Sequence, residues 1–296
     1  MKISMISVCQ IFLAGILILG ARFELYSQEA DSSNVYRPGL FVGVRLGPSQ
    51  THILNEGVLS DSDLLSEKQN SFGGLVEIGY FFSNNFGLSS GIGFESYKTE
   101  LTLATYQNTF NTTDSENETY ERRVSGTNIK EVQNIGFLNI PVYLNVRLPF
   151  SKAIGLFLQA GINMAFPVNK NYNSSGTFTY KGYYPAYNVL LENLPAYGFP
   201  SNINNVSGGD LEIKPVNFNA MAAAGLDFFV QKRMMVAVGA FYGRSLSNIS
   251  AYGTPDKFQL SSDAGQANSM MGGSTKATVQ SLGINFSIRY YLKTPF

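Results

Sequence analysis

The chain has one histidine, His52, and one cysteine, Cys9, among 296 residues. A hydrolase working through a nucleophile needs a base held in place by a third group. Ser49, Asp61 and Asp63 lie near His52, but that stretch is rich in serine and aspartate, so the proximity carries no weight. A zinc site needs several histidine or cysteine ligands, and the chain does not have them. Asp114, Glu116 and Glu118 offer oxygens to calcium, yet the glycine and terminal glutamate of an EF-hand loop are missing from their spacing. No phosphate-cradling glycine loop or dinucleotide fingerprint occurs. These residues point to no enzyme, no cofactor and no metal.

Two other groups of residues carry chemistry of a different kind. Arg45, Glu77, Glu95, Arg147, Asp227 and Arg289 each stand on the polar side of a segment that alternates in polarity. Three of each sign on such faces predict an internal ionic network, joined by the amides of Asn139, Asn217 and Asn285. Buried charges must be paired, so the network reads as a plug; the other reading is a narrow polar conduit. The second group lies in residues 168–215, which hold Tyr172, Tyr180, Tyr183, Tyr184, Tyr187 and Tyr197 with Phe178 and Phe199. Tyrosine combines a large contact area with a polar handle. Tyr180, Tyr183, Tyr184 and Tyr187 are therefore candidates for binding an extracellular glycan or protein. Alternatively the rings pack on one another and cap whatever lies beneath.

Eight segments must position these groups. Residues 40–46, 72–82, 86–103, 133–149, 154–166, 216–230, 234–245 and 278–292 alternate apolar with small or polar residues. Leu138, Ile140, Val142, Leu144, Val146 and Leu148 share one face of the fourth; Asn139, Tyr143, Asn145 and Arg147 share the other. A period of two gives a strand with one apolar and one polar face. In a soluble sandwich the apolar face points to the core, and in a membrane barrel it points to lipid. The connections separate the two. Ser83-Asn84-Asn85, residues 150–153 and Gln231-Lys232-Arg233 are tight turns. They take turns with long connections at 48–71, 104–132, 167–215 and 246–277. Short turns at one end and long loops at the other are the asymmetry of an outer-membrane barrel. The segments also approach the 9–11 residues a tilted strand needs to cross. The reading is an all-β, eight-stranded, antiparallel up-and-down transmembrane barrel with long extracellular loops, surrounded by outer-membrane lipid. Pro141 falls inside a central strand, where it predicts a bulge.

Composition agrees. The chain is 44% hydrophobic, with 29 glycines, 39 Tyr and Phe residues and 21 charges of each sign. A zero net charge argues against nucleic acid, which calls for a basic footprint. Lys2, the apolar run from Val8 to Leu19 and the polar Tyr26-Ser27-Gln28 have the layout of a secretory signal peptide. The apolar run is too short for a membrane helix. Cleavage after Ser27 removes Lys2, Arg22 and Glu24, and with them the only cysteine. The expected organisation is a signal peptide at 1–27, a periplasmic segment at 28–37 and the barrel at 38–296.

The alternation from Leu282 to Leu292 followed by Phe296 is similar to the C-terminal strand of outer-membrane proteins. The stretch Phe137-Leu138-Asn139-Ile140-Pro141-Val142-Tyr143-Leu144 resembles the mid-barrel strand of the PorT-like outer-membrane β-barrel family, common in Bacteroidota. Asn139 stands where that family usually has an acid, and Asn145 near where a lysine often follows. The resemblance would cover residues 36–296 and implies a barrel in the outer membrane; it implies no activity that transfers residue by residue. The functional expectation is a structural or surface-interaction role. A small channel for polar solutes, or an enzyme acting on lipid through His52, are the alternatives.

Overall fold

Strands paired in sequence order close into a single antiparallel ring. The computed structural model describes residues 39–58, 64–253 and 258–293. The strands are β1 (Leu40–Glu56), β2 (Leu64–Phe81), β3 (Phe86–Thr113), β4 (Thr119–Pro149), β5 (Ile154–Tyr184), β6 (Val189–Glu192), β7 (Ile203–Asp210), β8 (Asn217–Gln231), β9 (Met234–Ser245) and β10 (Lys276–Tyr291). β1 to β5 pair consecutively, β5 pairs with β8, and the ladder runs through β9 and β10 back to β1. Eight strands thus form the ring, as the alternation indicated. β6 and β7 raise the strand total to ten; both pair with β5, inside the expected third loop. The expected leader and periplasmic segment lie outside the described residues.

The three tight turns stand where the sequence placed them. Of the long loops, the one expected at 246–277 also stands, between Ser245 and Lys276; the other three are shortened or built into strands. β3 continues ten residues beyond 103, and β4 starts at Thr119 rather than near 133. β3 and β4 stay in register up to Thr113 opposite Thr119. The expected loop at 104–132 is therefore a hairpin, closed by an Asp114 N–H bond to Glu118 O at 3.0 Å. β5 runs 31 residues. Of these about 11 suffice to cross a bilayer. The remainder, at roughly 3.3 Å per residue and a tilt near 40°, rises some 50 Å above it. β3, β4, β5 and β7 build a sheet that stands out from the barrel mouth.

Side-chain polarity inverts where the strands leave the membrane. In the lower part of β1, Leu40, Val42, Val44 and Leu46 point outward and are 38–48% exposed. Ile78, Leu88, Ile92, Ile140, Val142, Ile162 and Ile288 extend the same belt around the ring. Their inward neighbours are Arg45, Glu77, Asn145, Arg147 and Arg289. Higher up, apolar residues come to the inward positions: Leu101, Leu103, Ile129, Ile135 and Phe137 are fully buried, with Glu131 and Gln133 among them. Lys98 and Lys130 now face out. On β3 and β4 the alternation carries on across the membrane surface while the medium outside changes from lipid to water, so the apolar face turns inward. On β5 the inward side changes from odd to even positions between Ala165 and Ser174.

Pro141 sits without a bulge. It lies opposite Asn163 of β5 in unbroken register, and the β3 ladder keeps one register on either side of it. The nearest shift is at Gly136/Phe137. The Ser90 hydroxyl donates to Pro141 O at 2.7 Å, satisfying a carbonyl beside the gap.

Candidate functional site

The barrel interior is filled in layers. At the periplasmic end Phe41, Phe81, Met235 and Tyr291 form a buried floor with Phe229 against it. Phe41 is 5.8 Å from Phe81 and 5.6 Å from Tyr291, centroid to centroid. Two guanidinium groups lie on this floor: Arg289 over Phe41 at 4.9 Å and Arg147 over Phe229 at 5.0 Å.

The ionic layer comes next. Glu77 accepts from Arg289 Nε at 2.7 Å and from Arg45 at 3.1 Å. Arg147 donates to both oxygens of Asp227, at 2.7 to 3.0 Å. Asn145 Oδ1 accepts from Gln159 at 2.8 Å and from Arg289 at 3.4 Å, and its amide donates to Ser89. Asn145 and Gln159 supply the amide links. The three amides expected there do not: Asn217 donates to Lys214 O, and Asn139 and Asn285 line a cavity above. Glu95 also faces that cavity, away from the ion pairs, and accepts from the Tyr97 hydroxyl at 2.8 Å. The cavity measures about 70 Å³ and is bounded by Arg45, Tyr143 and Asn163 as well.

Inward glycines play two parts: Gly47, Gly73 and Gly93 line the cavity, whereas Gly79 and Gly239 lie against aromatic rings. A Cβ on Gly79 would fall 2.3 Å from the Phe41 ring, and one on Gly239 would fall 2.6 Å from Phe157. Gly79 and Gly239 make room for aromatic rings, and the rings take the space.

Above the cavity an apolar layer fills the ring: Ile53, Tyr97, Ile135, Phe137, Val279 and neighbours. The connection between β9 and β10 folds down onto it. Ile249, Leu260, Met270 and Met271 of that connection have no exposed surface. Glu131 of β4 anchors the cap, accepting from Ser269 Oγ and Met270 N–H, both at 2.7 Å, and from Gln133 at 2.7 Å. Burial pushes the Glu131 carboxyl up to about 7, against the three bonds that favour its anion. Further anchors run from Gly265 N–H to Asn205 and from Ala267 N–H to Ser207.

The four candidate tyrosines separate. Tyr180 is not a surface residue: it is fully buried beneath the cap, bonded to Ser261 Oγ at 2.6 Å and to Asn205 at 2.7 Å. Its parity explains this, since Phe178 and Tyr180 lie on the inward face of β5. Arg122 is buried beside it, 5.2 Å from the Tyr180 ring and 5.7 Å from Phe199. The other three gather at the outer tip. Tyr184 stacks on Tyr120 at 5.0 Å and donates to Asp114 at 3.1 Å. Tyr183 lies under Arg123, 4.8 Å from the guanidinium. Tyr187 donates to Glu118 and is 61% exposed. Burial and the Asp114 carboxylate push the Tyr184 phenol up to about 12. Asp114 is held below its ordinary range, chiefly by the Glu118 N–H.

His52 pairs with Ser66, Nε2 to Oγ 2.7 Å, not with Ser49. Asp61 and Asp63 lie outside the described residues. Among the described residues no group of three His, Cys, Asp or Glu side chains is arranged to hold a metal.

A closed ring with an apolar belt outside and paired charges inside defines a transmembrane β-barrel. The chain belongs to the outer membrane protein beta-barrel domain family, whose model matches residues 26–251. Among solved structures it is similar to Neisserial surface protein A, at 9% identity and a TM-score of 0.34, covering 84% of this chain and 96% of that one. It is also similar to OprG from Pseudomonas aeruginosa, at 11% identity and a TM-score of 0.32, covering 88% and 98%. A third is Ail, the attachment invasion locus protein of Yersinia pestis, in complex with the heparin analogue sucrose octasulfate; identity is 9%, TM-score 0.30, coverage 85% and 99%. No curated protein sequence matches the chain.

Proposed function

We propose that the protein is a closed, non-catalytic barrel that holds an extracellular sheet above the outer membrane for surface interaction. The observation that carries this reading is the filled interior. An aromatic floor, an ionic layer and an apolar cap lie in series along the lumen. Conduction through them would require displacing a buried ion pair and an apolar layer together. Above the membrane the same strands spend a large part of their length on a protruding sheet. That sheet bears Tyr183, Tyr184, Tyr187 and Tyr197 at or near its tip. These rings suit contact with a glycan or with a protein. The stretch Phe137–Leu144 supports placing the chain in the PorT-like branch.

Planar-bilayer recording tests the proposal. The purified protein is expected to leave the bilayer silent. Reproducible single-channel steps would overturn the closed-barrel reading in favour of a small channel. His52→Ala tests the lipid-enzyme alternative: lipid hydrolysis present in the wild type and lost in H52A would make the protein an enzyme.

A further inference from the structure

Among the described residues, the protruding sheet has one long edge without a paired strand. β2 begins at Leu64, opposite Leu103, so no described strand pairs with β3 on that side from Ala104 to Thr113. The Asp114–Glu118 bond fixes the parity of the β3–β4 ladder. In an antiparallel pair, bonded and non-bonded positions alternate. Thr112, Phe110, Asn108 and Tyr106 therefore bond to β4. Thr105, Gln107, Thr109, Asn111 and Thr113 turn their N–H and C=O groups to the free side. The Thr109 N–H accordingly bonds to the Asn108 side chain at 2.8 Å rather than to β4.

Soluble edges are ordinarily guarded by charge, proline, bulges, shortness or cover. The other outlying strands here follow that rule. β6 has four residues and ends on Glu192. β7 is overlaid by the cap through Asn205 and Ser207. Among the described residues, the β3 edge has none of these defences. Residues 101–113 contain no ionisable group other than Tyr106, whose side chain is buried, and they contain no proline or glycine. Register with β4 shows no shift along this stretch.

We infer that this edge pairs antiparallel with the same edge of a second copy standing in an opposing membrane. Neutrality selects the occupant. When a strand pairs with its own copy about a two-fold axis centred on Thr109, Gln107 meets Asn111 and Thr105 meets Thr113. No like charges meet, whereas a charged edge would repel itself. The overlap ends at Leu103, where β2 occupies the ladder. Geometry selects the opposing membrane. Barrel strands lean about 40° from the membrane normal. Two copies in one membrane are related by an axis along that normal, so their strands would cross at roughly 80° and could not form a ladder. A two-fold axis in the plane between two facing membranes reverses the strand direction completely and gives an antiparallel ladder. This inference rests on the surface-interaction reading above and names its partner.

Vesicle tethering tests it. Full-length protein is reconstituted into two populations of neutral phosphatidylcholine vesicles carrying donor and acceptor dyes, and tethering is read as energy transfer between populations. Wild-type vesicles are expected to tether. Thr109→Pro removes an edge-facing N–H and leaves the β4 ladder intact, and its vesicles are expected not to tether. Q107K/N111K vesicles and Q107E/N111E vesicles should each fail alone and tether when mixed. A boiling-dependent gel shift checks that every variant is folded. Free wild-type vesicles, or tethering unaffected by the proline and lysine variants, would overturn the inference. Tethering of wild type to protein-free vesicles would do so too, by assigning the contact to lipid. Failure here with a silent bilayer leaves the closed barrel standing; conductance steps would remove that reading separately.

Discussion

Asp227→Ala should be among the most costly single changes in the lumen. Asp227 has no exposed surface, and its partner Arg147 is 1% exposed. Three short bonds join them. Removing the carboxylate takes from the buried Arg147 guanidinium the counter-charge that these three bonds hold against it. Breaking a buried pair in this way costs about 3–5 kcal/mol. At about 1.4 kcal/mol per decade, the folding equilibrium shifts by roughly two to three and a half orders of magnitude. Arg147→Met should cost a similar amount, by stranding Asp227. The double variant R147M/D227L should cost less than either single change, because no uncompensated charge remains and apolar groups replace the pair. Urea unfolding in phospholipid vesicles measures all four proteins. Tyrosine fluorescence and the boiling-dependent gel shift report the transition, since the chain has no tryptophan. A D227A cost below about 1 kcal/mol, the range of an exposed pair, would refute the reasoning. So would a double variant whose cost equals the sum of the singles.

Three more outcomes are expected. Glu131 keeps its proton up to about pH 7 when folded, against about 4.5 as its ordinary value. Its contribution to stability is thus full below 4.5 and is lost as pH rises to 7, by about 3 kcal/mol; unfolding curves of wild type and E131Q should converge in slope above pH 7, and parallel curves throughout would contradict this. Tyr180→Phe deletes the bonds to Ser261 and Asn205, costs about 1 kcal/mol, and should speed proteolysis within the cap, read by mass spectrometry of limited digests. Gly239→Ala forces a Cβ to 2.4 Å from Ala224 O and 2.6 Å from Phe157; a loss of about 1–3 kcal/mol is expected, partly relieved by Phe157→Leu, and an undisturbed G239A barrel would show that the rings can move aside.

Much of the ring was legible because alternation encodes direction. The period of two distinguishes the face of Leu138 and Ile140 from that of Asn139 and Arg147, and the three short turns fix which segments are hairpins. Where each strand ends was not legible. Above the membrane the apolar residues move to the inward face, and beyond Leu103 the inward parity of β3 shifts as well, so a search for apolar-out faces stops at the membrane surface. Thr105, Thr109, Thr112 and Thr113 read as a polar loop, although threonine favours strands. Direction also carries no information about partners. Asn145 and Gln159 share the parity of Arg147 and hold the ionic layer together, but nothing in an uncharged amide marks it for that role. Tyr180 shares the inward parity of Phe178, but lower on β5 the inward residues are Gln159, Asn163 and Ala165, at odd positions. The parity changes above Ala165, where the register with β4 shifts, and alternation carried up from the membrane would have sent Tyr180 outward. Tyr184 has the same parity yet stands at the outer tip, so height along β5 as well as parity separates the four tyrosines.

The reversal of polarity along unbroken strands acts as a draught mark on a hull. A uniformly patterned barrel could ride higher or lower in bilayers of different thickness. This one cannot slide either way at low cost. Sinking it would bring Lys98 and Lys130 into hydrocarbon, and raising it would set Phe94, Leu138 and Ile92 in water. Each step of vertical travel is penalised on the whole circumference at once. Thickness mismatch must then be absorbed by the surrounding lipid, through local stretching or thinning. The waterline is written into the strands themselves, and it holds the height of the protruding sheet constant from one membrane to the next.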